Sequence, residues 1–586
     1  MNRPWARTAL VLSIFAAAFI LLTVTSYVQK SATWDEPQHL IAGYTALEFN
    51  DYRTDPEHPP FLRMWAALPL LAQLGIKMDV NVIDKVDPTE WTGMTQFEFC
   101  HIFLYVLNDA DRLLYAARFM IVLLGVLLGI LLFCWSRELL GFWPAVIVLG
   151  LYTVEPNILA HSCLVTTDFA ITCFAFGALY FLWRTTKKLS AANLCGLIGF
   201  FTLAQISKFS ALLLGPIVLL LLIARVFRRD PWLVTIGKRR EMANIGHKTK
   251  AALVILILFA LVSWLAIWAS YSFRFLPSAS ATWKLNSCAD PILQPRAPRL
   301  ARAVSWADEH HWLPNAYLQG FFLTQAKAAQ RAGFLAGQYS TKGWWYFFPL
   351  AFLIKTPEPV ILLFLAGILL CAIRRGRFLS DDLYLLIPIA GFVVPATVAN
   401  LNIGLRHILP VYPFVLLLGG KTVVAFWNTN SRWLRLLLGA LCVFSAIECA
   451  LIYPNYLAFF NQFVGGPRNG QKYLVDSNLD WGQDLKGLKR WMDQNHVPHI
   501  NLSYFGTADP AYYKINCIHL PGAPFYDEQL ARMPVLPGYV AVSATNLRGV
   551  YFDEQSRNFY WPLLEMKPVA VIGYSIYVYQ VERQWW

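Results

Sequence analysis

Ionisable side chains crowd together in two places near the N-terminus of this chain. The first is Trp34-Asp35-Glu36-Pro37. Adjacent carboxylates repel each other and resist desolvation, so the pair calls for a reason. One is chemical, since a carboxylate within hydrogen-bond distance takes a proton from a hydroxyl. The other is structural, since one carboxylate can cap a short helix that starts at Pro37. The second place is Asp55-Pro56-Glu57-His58-Pro59-Pro60-Phe61-Leu62-Arg63. Its prolines stiffen a turn that feeds a helix. His39, His58, Asp35 and Glu57 are oxygen and nitrogen donors of the kind that hold metals. The His-Pro-Pro context reads as loop architecture instead, and no metal or other cofactor is assigned.

Such groups must be positioned, and the composition says by what. The chain has 586 residues, 57% hydrophobic and 15% charged, where soluble domains run near 45–50% apolar and 25% charged. This is the composition of an α-helical integral membrane protein. Its formal charge is +13, which suits cytoplasmic loops that collect Lys and Arg. No basic tract is interleaved with stacking aromatics, so a nucleic-acid partner is excluded. The ten cysteines are dispersed with no CxxC pair, so neither a zinc site nor a disulfide framework is indicated.

Apolar runs predict about eleven transmembrane helices, at 8–28, 113–135, 142–160, 168–184, 191–207, 209–227, 251–270, 356–373, 382–400, 406–427 and 433–453. The alternate loops are basic: Arg3 and Arg7; Arg137; Arg184, Lys187 and Lys188; Arg228 to Lys250, including Lys238; Arg374, Arg375 and Arg377; Lys421, Arg432 and Arg435. The positive-inside rule puts these in the cytoplasm, with the N-terminus inside and the C-terminus outside. Long outer loops then cover about 29–112 and 271–355, the first containing an interfacial helix over Phe61–Leu74. A composition shift near 455 separates a transmembrane domain, 1–454, from a small α/β outer domain, 455–586. In the latter a helix is expected over Trp481–Asn495, and strands over Ile500–Tyr504, Tyr539–Ala544 and Val569–Val581.

An Asp-Glu pair after the first span, followed by His-Pro-Pro, a hydrophobic residue and a base, resembles the GT-C superfamily of polyprenyl-phosphate-sugar-dependent glycosyltransferases. The similarity is to their protein O-mannosyltransferase-like branch and, more distantly, to the aminoarabinose transferase of lipid A. That cousin has an Arg close behind the Asp-Glu pair, where Gln38 and His39 stand here. Further matching segments are Glu155-Pro156-Asn157 to His161, Val165 to Asp168, Gly343 to Pro357, Asn402 to Pro413, and Asp476-Ser477-Asn478 to Asp484. Each is weak alone; their order carries the resemblance.

The resemblance implies an enzyme, a hexosyl- or pentosyltransferase of the cell envelope. It would move a sugar from a polyprenyl phosphate, undecaprenyl phosphate in a bacterium, to a hydroxyl on a protein, lipid or glycan, with inversion. Asp35 is then the expected base, with Glu36 orienting it or the sugar and Asp168 stabilising an oxocarbenium-like transition state. Arg63, Lys208, Lys355, Arg406 and His407 map near the outer interface, against the positive-inside bias, and are expected to hold the donor phosphate. Snorkelling to lipid headgroups is the plain alternative for the cations. Glu57, His58 and Glu155 are candidate substrate contacts, with helix capping the alternative for Glu155. Glu448, inside the last span, either pairs with a neighbouring helix or reaches the interface. A transporter or flippase of lipid-linked sugar would use the same cations, and a scaffold would leave Asp35 dispensable. The transporter predicts charged or broken helices at the bilayer midplane, and the central parts of these spans are nearly free of ionisable residues, which counts against it.

Overall fold

The computed structural model describes residues 4–86, 91, 93–237, 239–279, 283–373, 381–522 and 531–586. Arg3, Lys238, Arg374, Arg375 and Arg377 of the charge pattern lie outside the described residues. Among those described, seven helices are long and apolar enough to cross a membrane: Trp5–Tyr27, Ala110–Leu140, Thr167–Lys187, Phe209–Phe227, Ile245–Ser270, Leu405–Trp427 and Arg432–Ile452. The expectation of about eleven spans is therefore corrected to seven.

The other four apolar segments form helices that stop short. They are Phe142–Thr153, Ala191–Gln205, Glu358–Ile373 and Leu383–Val398. At about 1.5 Å per residue the longest covers only ~24 Å, below the ~30 Å of a hydrocarbon core. Local chemistry sets their ends. The chain breaks at Glu155, which caps the next helix, Pro156–His161, by accepting from Ile158 N at 2.6 Å. Ser190 caps Ala191–Gln205, accepting from Asn193 N. Leu383–Val398 carries Pro388 and Pro395 within it, each without a backbone donor.

Basic loops gather at one end of the bundle. There Arg184 approaches Glu138 at 3.7 Å, Lys187 pairs with Asp381 at 3.1 Å, and Lys421 pairs with Asp382. Three short strands, Lys188–Leu189, Trp232–Val234 and Arg240–Met242, close the same end.

After the last long helix the chain builds a five-stranded sheet in the order Cys517–His519, Ile500–Ser503, Gly538–Ser543, Ile576–Val581, Ala570–Ile572. The first two pairings are parallel and the last two antiparallel. Helix Leu485–Gln494 buries Leu485, Leu488 and Met492, one turn apart on a single face. The expected run Val569–Val581 is two strands, because Gly573 and Tyr574 adopt positive φ and turn the chain between them.

This unit is tied to the segment after the first long helix. Ser31 N donates to Gln483 O at 3.0 Å and Trp34 N to Trp481 O at 2.9 Å, while Lys30 pairs with Asp484 at 2.6 Å. Helices Glu36–Glu48 and Phe61–Leu71 follow, and they pack so closely that a Cβ on Gly43 would sit 2.0 Å from Arg63 O. The Asp35 segment is thus held between the bundle and the C-terminal sheet.

Candidate active site

Asp35 and Glu36 are neighbours in sequence with opposite surroundings. Glu36 is fully buried and accepts five hydrogen bonds. Its Oε2 takes Arg118 Nη2 (2.6 Å), Thr33 N (2.8 Å) and Thr33 Oγ1 (3.0 Å), and its Oε1 takes Arg118 Nε (2.8 Å) and Val165 N (3.0 Å). Arg118, itself fully buried, spends its remaining donors on the carbonyls of Tyr27, Lys30 and Ser31. Glu36 therefore staples the segment to helix Ala110–Leu140. Asp35 makes no side-chain cap bond to the helix that starts at Glu36. Its carboxylate, 25% exposed, lines a cavity of about 770 Å³ and accepts from Arg406 Nη1 at 2.7 Å. The capping alternative does not describe it.

Arg406 is the hub of the site. The same Nη1 reaches Asp168 Oδ2 at 3.4 Å, and the guanidinium lies 4.2 Å from the centroid of the Trp481 ring. Asp168, in the first turn of Thr167–Lys187, holds Lys208 Nζ at 2.5 Å. Lys208 sits in the tight turn after Ala191–Gln205. His407 is next to Arg406, with Nε2 buried and without a partner among the described residues. Asn478 sets the Arg406 backbone: its Oδ1 accepts from Leu405 N at 2.9 Å and its Nδ2 donates to Ile403 O at 3.0 Å. Two carboxylates and two cations from distant parts of the chain thus meet in one chain of contacts, Asp35–Arg406–Asp168–Lys208. Among charged groups this is the arrangement that can take a proton at one end and hold an anion at the other.

The remaining expected residues lie beside this chain or away from it. The turn at 51–63 is held largely by its own groups. Asp55 accepts from Arg63 Nη1 at 3.0 Å and pairs with His39 Nδ1 at 2.7 Å, and Arg63 Nη2 donates to His58 O. Burial would raise the Asp55 carboxyl, but Arg63 and His39 hold it well below the usual carboxylate range. Burial, with Lys208 adding to it, pushes the His58 imidazole well below its ordinary value, so it stands neutral. Glu57 pairs with Lys327. The four residues considered for a metal thus take separate partners or stand apart, and no group of three or more His, Cys, Asp or Glu with metal-site geometry occurs among the described residues.

Lys355 and Glu155 form a second buried locus. Lys355 Nζ donates to Leu457 O (2.9 Å) and to Asn478 O, and Asn157 Nδ2 bridges Glu155 (2.8 Å) to the Lys355 carbonyl (2.6 Å). Neither lines the cavity. Glu448 is 4% exposed, and its carboxyl faces that of Glu358. Cys100, Cys288 and Cys517 are free thiols.

Several cavity residues were not expected from the sequence: Arg331, Asp476, Phe505, Asn546 and Tyr551. Asp476 belongs to the dense run Asp476 to Asp484, and that density of acidic and aromatic residues was the available signal. Burial raises its carboxyl, partly offset by the Tyr551 hydroxyl and Arg331. Nothing in the sequence around Arg331 marks it.

The family model described as dolichyl-phosphate-mannose-protein mannosyltransferase matches residues 99–264, less than a third of the chain. No curated protein matches it. Among solved structures, the chain is similar to ArnT from Cupriavidus metallidurans bound to undecaprenyl phosphate, at 12% identity over 97% of each chain with a TM-score of 0.42. It is similar to the Archaeoglobus fulgidus oligosaccharyltransferase in the apo form, at 14% identity over 91% of this chain and 60% of that one, with a TM-score of 0.45. For the S. cerevisiae protein O-mannosyltransferase Pmt1–Pmt2 complex bound to the sugar donor the values are 16%, 50%, 37% and 0.35.

Proposed function

We propose that this chain is a membrane glycosyltransferase that moves a sugar from a polyprenyl phosphate to an acceptor hydroxyl, with Asp35 as the base. The observation that carries the reading is the Asp35 carboxylate on a cavity wall, joined through Arg406 to Asp168 and Lys208. The partial match to a mannosyltransferase family model supports it, since residues 99–264 include both Asp168 and Lys208.

In this reading the acceptor oxygen attacks the anomeric carbon while Asp35 takes its proton, and the carbon–phosphate oxygen bond breaks. One displacement inverts the anomeric centre. Arg406 orients Asp35, and it shares with Lys208 and His407 the charge that grows on the leaving phosphate. Asp168 holds both cations in place. Glu36 positions Asp35 from behind rather than touching substrate. Arg63, His58 and Glu57 shape the neighbouring turn, and Lys355 and Glu155 brace the segment that contains Asn478. Residues 455–586 form an outer-face unit that closes the cavity over Asp35, and the basic end of the bundle faces the cytoplasm.

The test is Asp35→Asn in purified, detergent-solubilised protein, scored by release of polyprenyl phosphate from a panel of polyprenyl-phosphate sugars with membrane extract as acceptor. Loss of a general base lowers the rate by roughly 10²–10⁴-fold. A variant as active as wild type overturns the assignment of the base. A wild type that binds donors without turnover favours transport.

A further inference from the structure

Asp35 is not the only carboxylate on the cavity. Asp476 also lines it, although only 6% of that residue is exposed. Its Oδ1 accepts from Ser477 N at 2.5 Å, and its Oδ2 takes the Tyr551 hydroxyl. The Asp476 backbone has φ +55°, a left-handed conformation that costs a residue with a Cβ. Strain of this kind persists where the surroundings over-determine it, commonly at binding sites. Here Asp476 N is fixed by Thr545 Oγ1 at 3.1 Å. Beside it, the Arg331 guanidinium lies 5.8 Å from the Tyr551 ring, and Arg331 Nε is buried with no partner among the described residues. A buried donor without a partner is a position that a ligand oxygen can fill.

Three aromatic rings continue this wall. Trp34 stacks on Phe505 at 4.5 Å and 26°, and Phe505 stacks on Tyr551 at 5.5 Å and 9°. The series runs from the residue next to Asp35 to the residue that holds Asp476. Carboxylate, guanidinium and the Asn546 amide are flat groups with paired donors or acceptors. Neighbouring hydroxyls, each both donor and acceptor, satisfy such groups two at a time. Apolar ring faces next to a few convergent polar groups complete a small-molecule type of site. A peptide bound by strand addition needs a free strand edge. Among the described residues, none that line this cavity belongs to a strand.

We infer that the acceptor is a saccharide, bound on this wall, with Asp476 and Arg331 contacting its hydroxyls and Tyr551 orienting Asp476. The inference rests on the transferase reading and adds the acceptor class to it.

The experiment uses the full chain in detergent with undecaprenyl-phosphate-linked glucose, mannose, galactose and arabinose as donors. The acceptors are fluorescently labelled maltose, lactose and maltotriose, and a Ser/Thr-containing hexapeptide. A labelled saccharide is extended and the peptide is not. Asp476→Asn and Tyr551→Phe raise the saccharide KM by on the order of 10–100-fold, the loss of hydrogen bonding to a charged group, with kcat little changed. The split between KM and kcat is the readout that separates acceptor contact from a general loss of the site. Tyr551→Phe removes a single hydroxyl from a residue 37% exposed and leaves the Asp476 charge in place, so it is the milder of the two variants. Transfer to the peptide but to no saccharide overturns the proposal, as does a saccharide KM unchanged in both variants. Failure of wild type to release polyprenyl phosphate from any donor removes the transferase reading, and this inference with it.

Discussion

Replacing Glu36 by Gln separates the work of two adjacent carboxylates. The substitution keeps shape and volume and removes one charge. In one amide orientation the new NH2 replaces Oε1 and faces two donors, Arg118 Nε at 2.8 Å and Val165 N at 3.0 Å. In the other it replaces Oε2 and faces three, Arg118 Nη2, Thr33 N and Thr33 Oγ1. No orientation avoids donors facing donors. Either way the Arg118 guanidinium, 0% exposed, is left as a buried charge without a counter-ion. Breaking one side of a buried pair costs about 3–5 kcal/mol. Mutating Arg118 as well would not restore stability, because the carbonyls of Tyr27, Lys30 and Ser31 would then lose their donors. The assay follows thermal unfolding in detergent with a thiol-reactive dye. Cys163, Cys173 and Cys449 are buried and become reactive only as the fold opens, whereas Cys195 is exposed from the start. The expected result is a transition well below that of wild type for Glu36→Gln. For Asp35→Asn the transition stays near wild type while turnover is lost, because Asp35 is partly exposed. A Glu36→Gln protein that melts with wild type would refute the argument that this residue staples the site.

Further tests follow from other groups. Arg406→Gln leaves Asp35 and Asp168 without their shared cation, and transfer should fall by roughly 10²–10³-fold; Arg406→Lys should recover only part of this, because an ammonium lacks the flat guanidinium that packs on the Trp481 ring while Nη1 reaches both carboxylates. Steady-state rates on a donor that wild type uses decide between them. Burial pushes the Asp480 carboxyl up to about 8, so the folded state holds its proton more tightly than the unfolded chain. The stability from this group is full below about pH 4 and is lost as pH rises through 8. Melting midpoints at pH 5 and pH 8 should therefore differ less in Asp480→Asn than in wild type, and equal differences would show that the group does not titrate in this range. Glu448→Gln removes a buried carboxylate that faces a second one, Glu358, so its melting midpoint should equal or exceed that of wild type. A clear drop would mean that the charge is compensated.

Composition and apolar runs were enough to read the chain as a helical membrane protein, because the hydrophobic driving force depends on residue type summed over a window and not on partners. Strands at Ile500–Ser503 and Gly538–Ser543 and helix Leu485–Gln494 were legible for a similar local reason, since alternation or one-turn spacing is written in the residues themselves. The span count was not legible to that degree. An apolar run does not record where a cap such as Glu155 ends one helix and starts the next within it.

At the site, residue types marked Asp35, Asp168, Lys208 and Arg406 as worth attention, but nothing local distinguished Asp35 from Glu36. That difference came from Arg118, 82 positions on, which took one carboxylate into the core, and from Arg406, 371 positions on, which met the other at the cavity. Lys355 and Arg63 carried the same formal promise as Arg406, yet packing directed their charges to backbone carbonyls and to Asp55. A charge acquires its role from the groups that surround it in space, and a linear sequence lists those groups without saying which of them will meet.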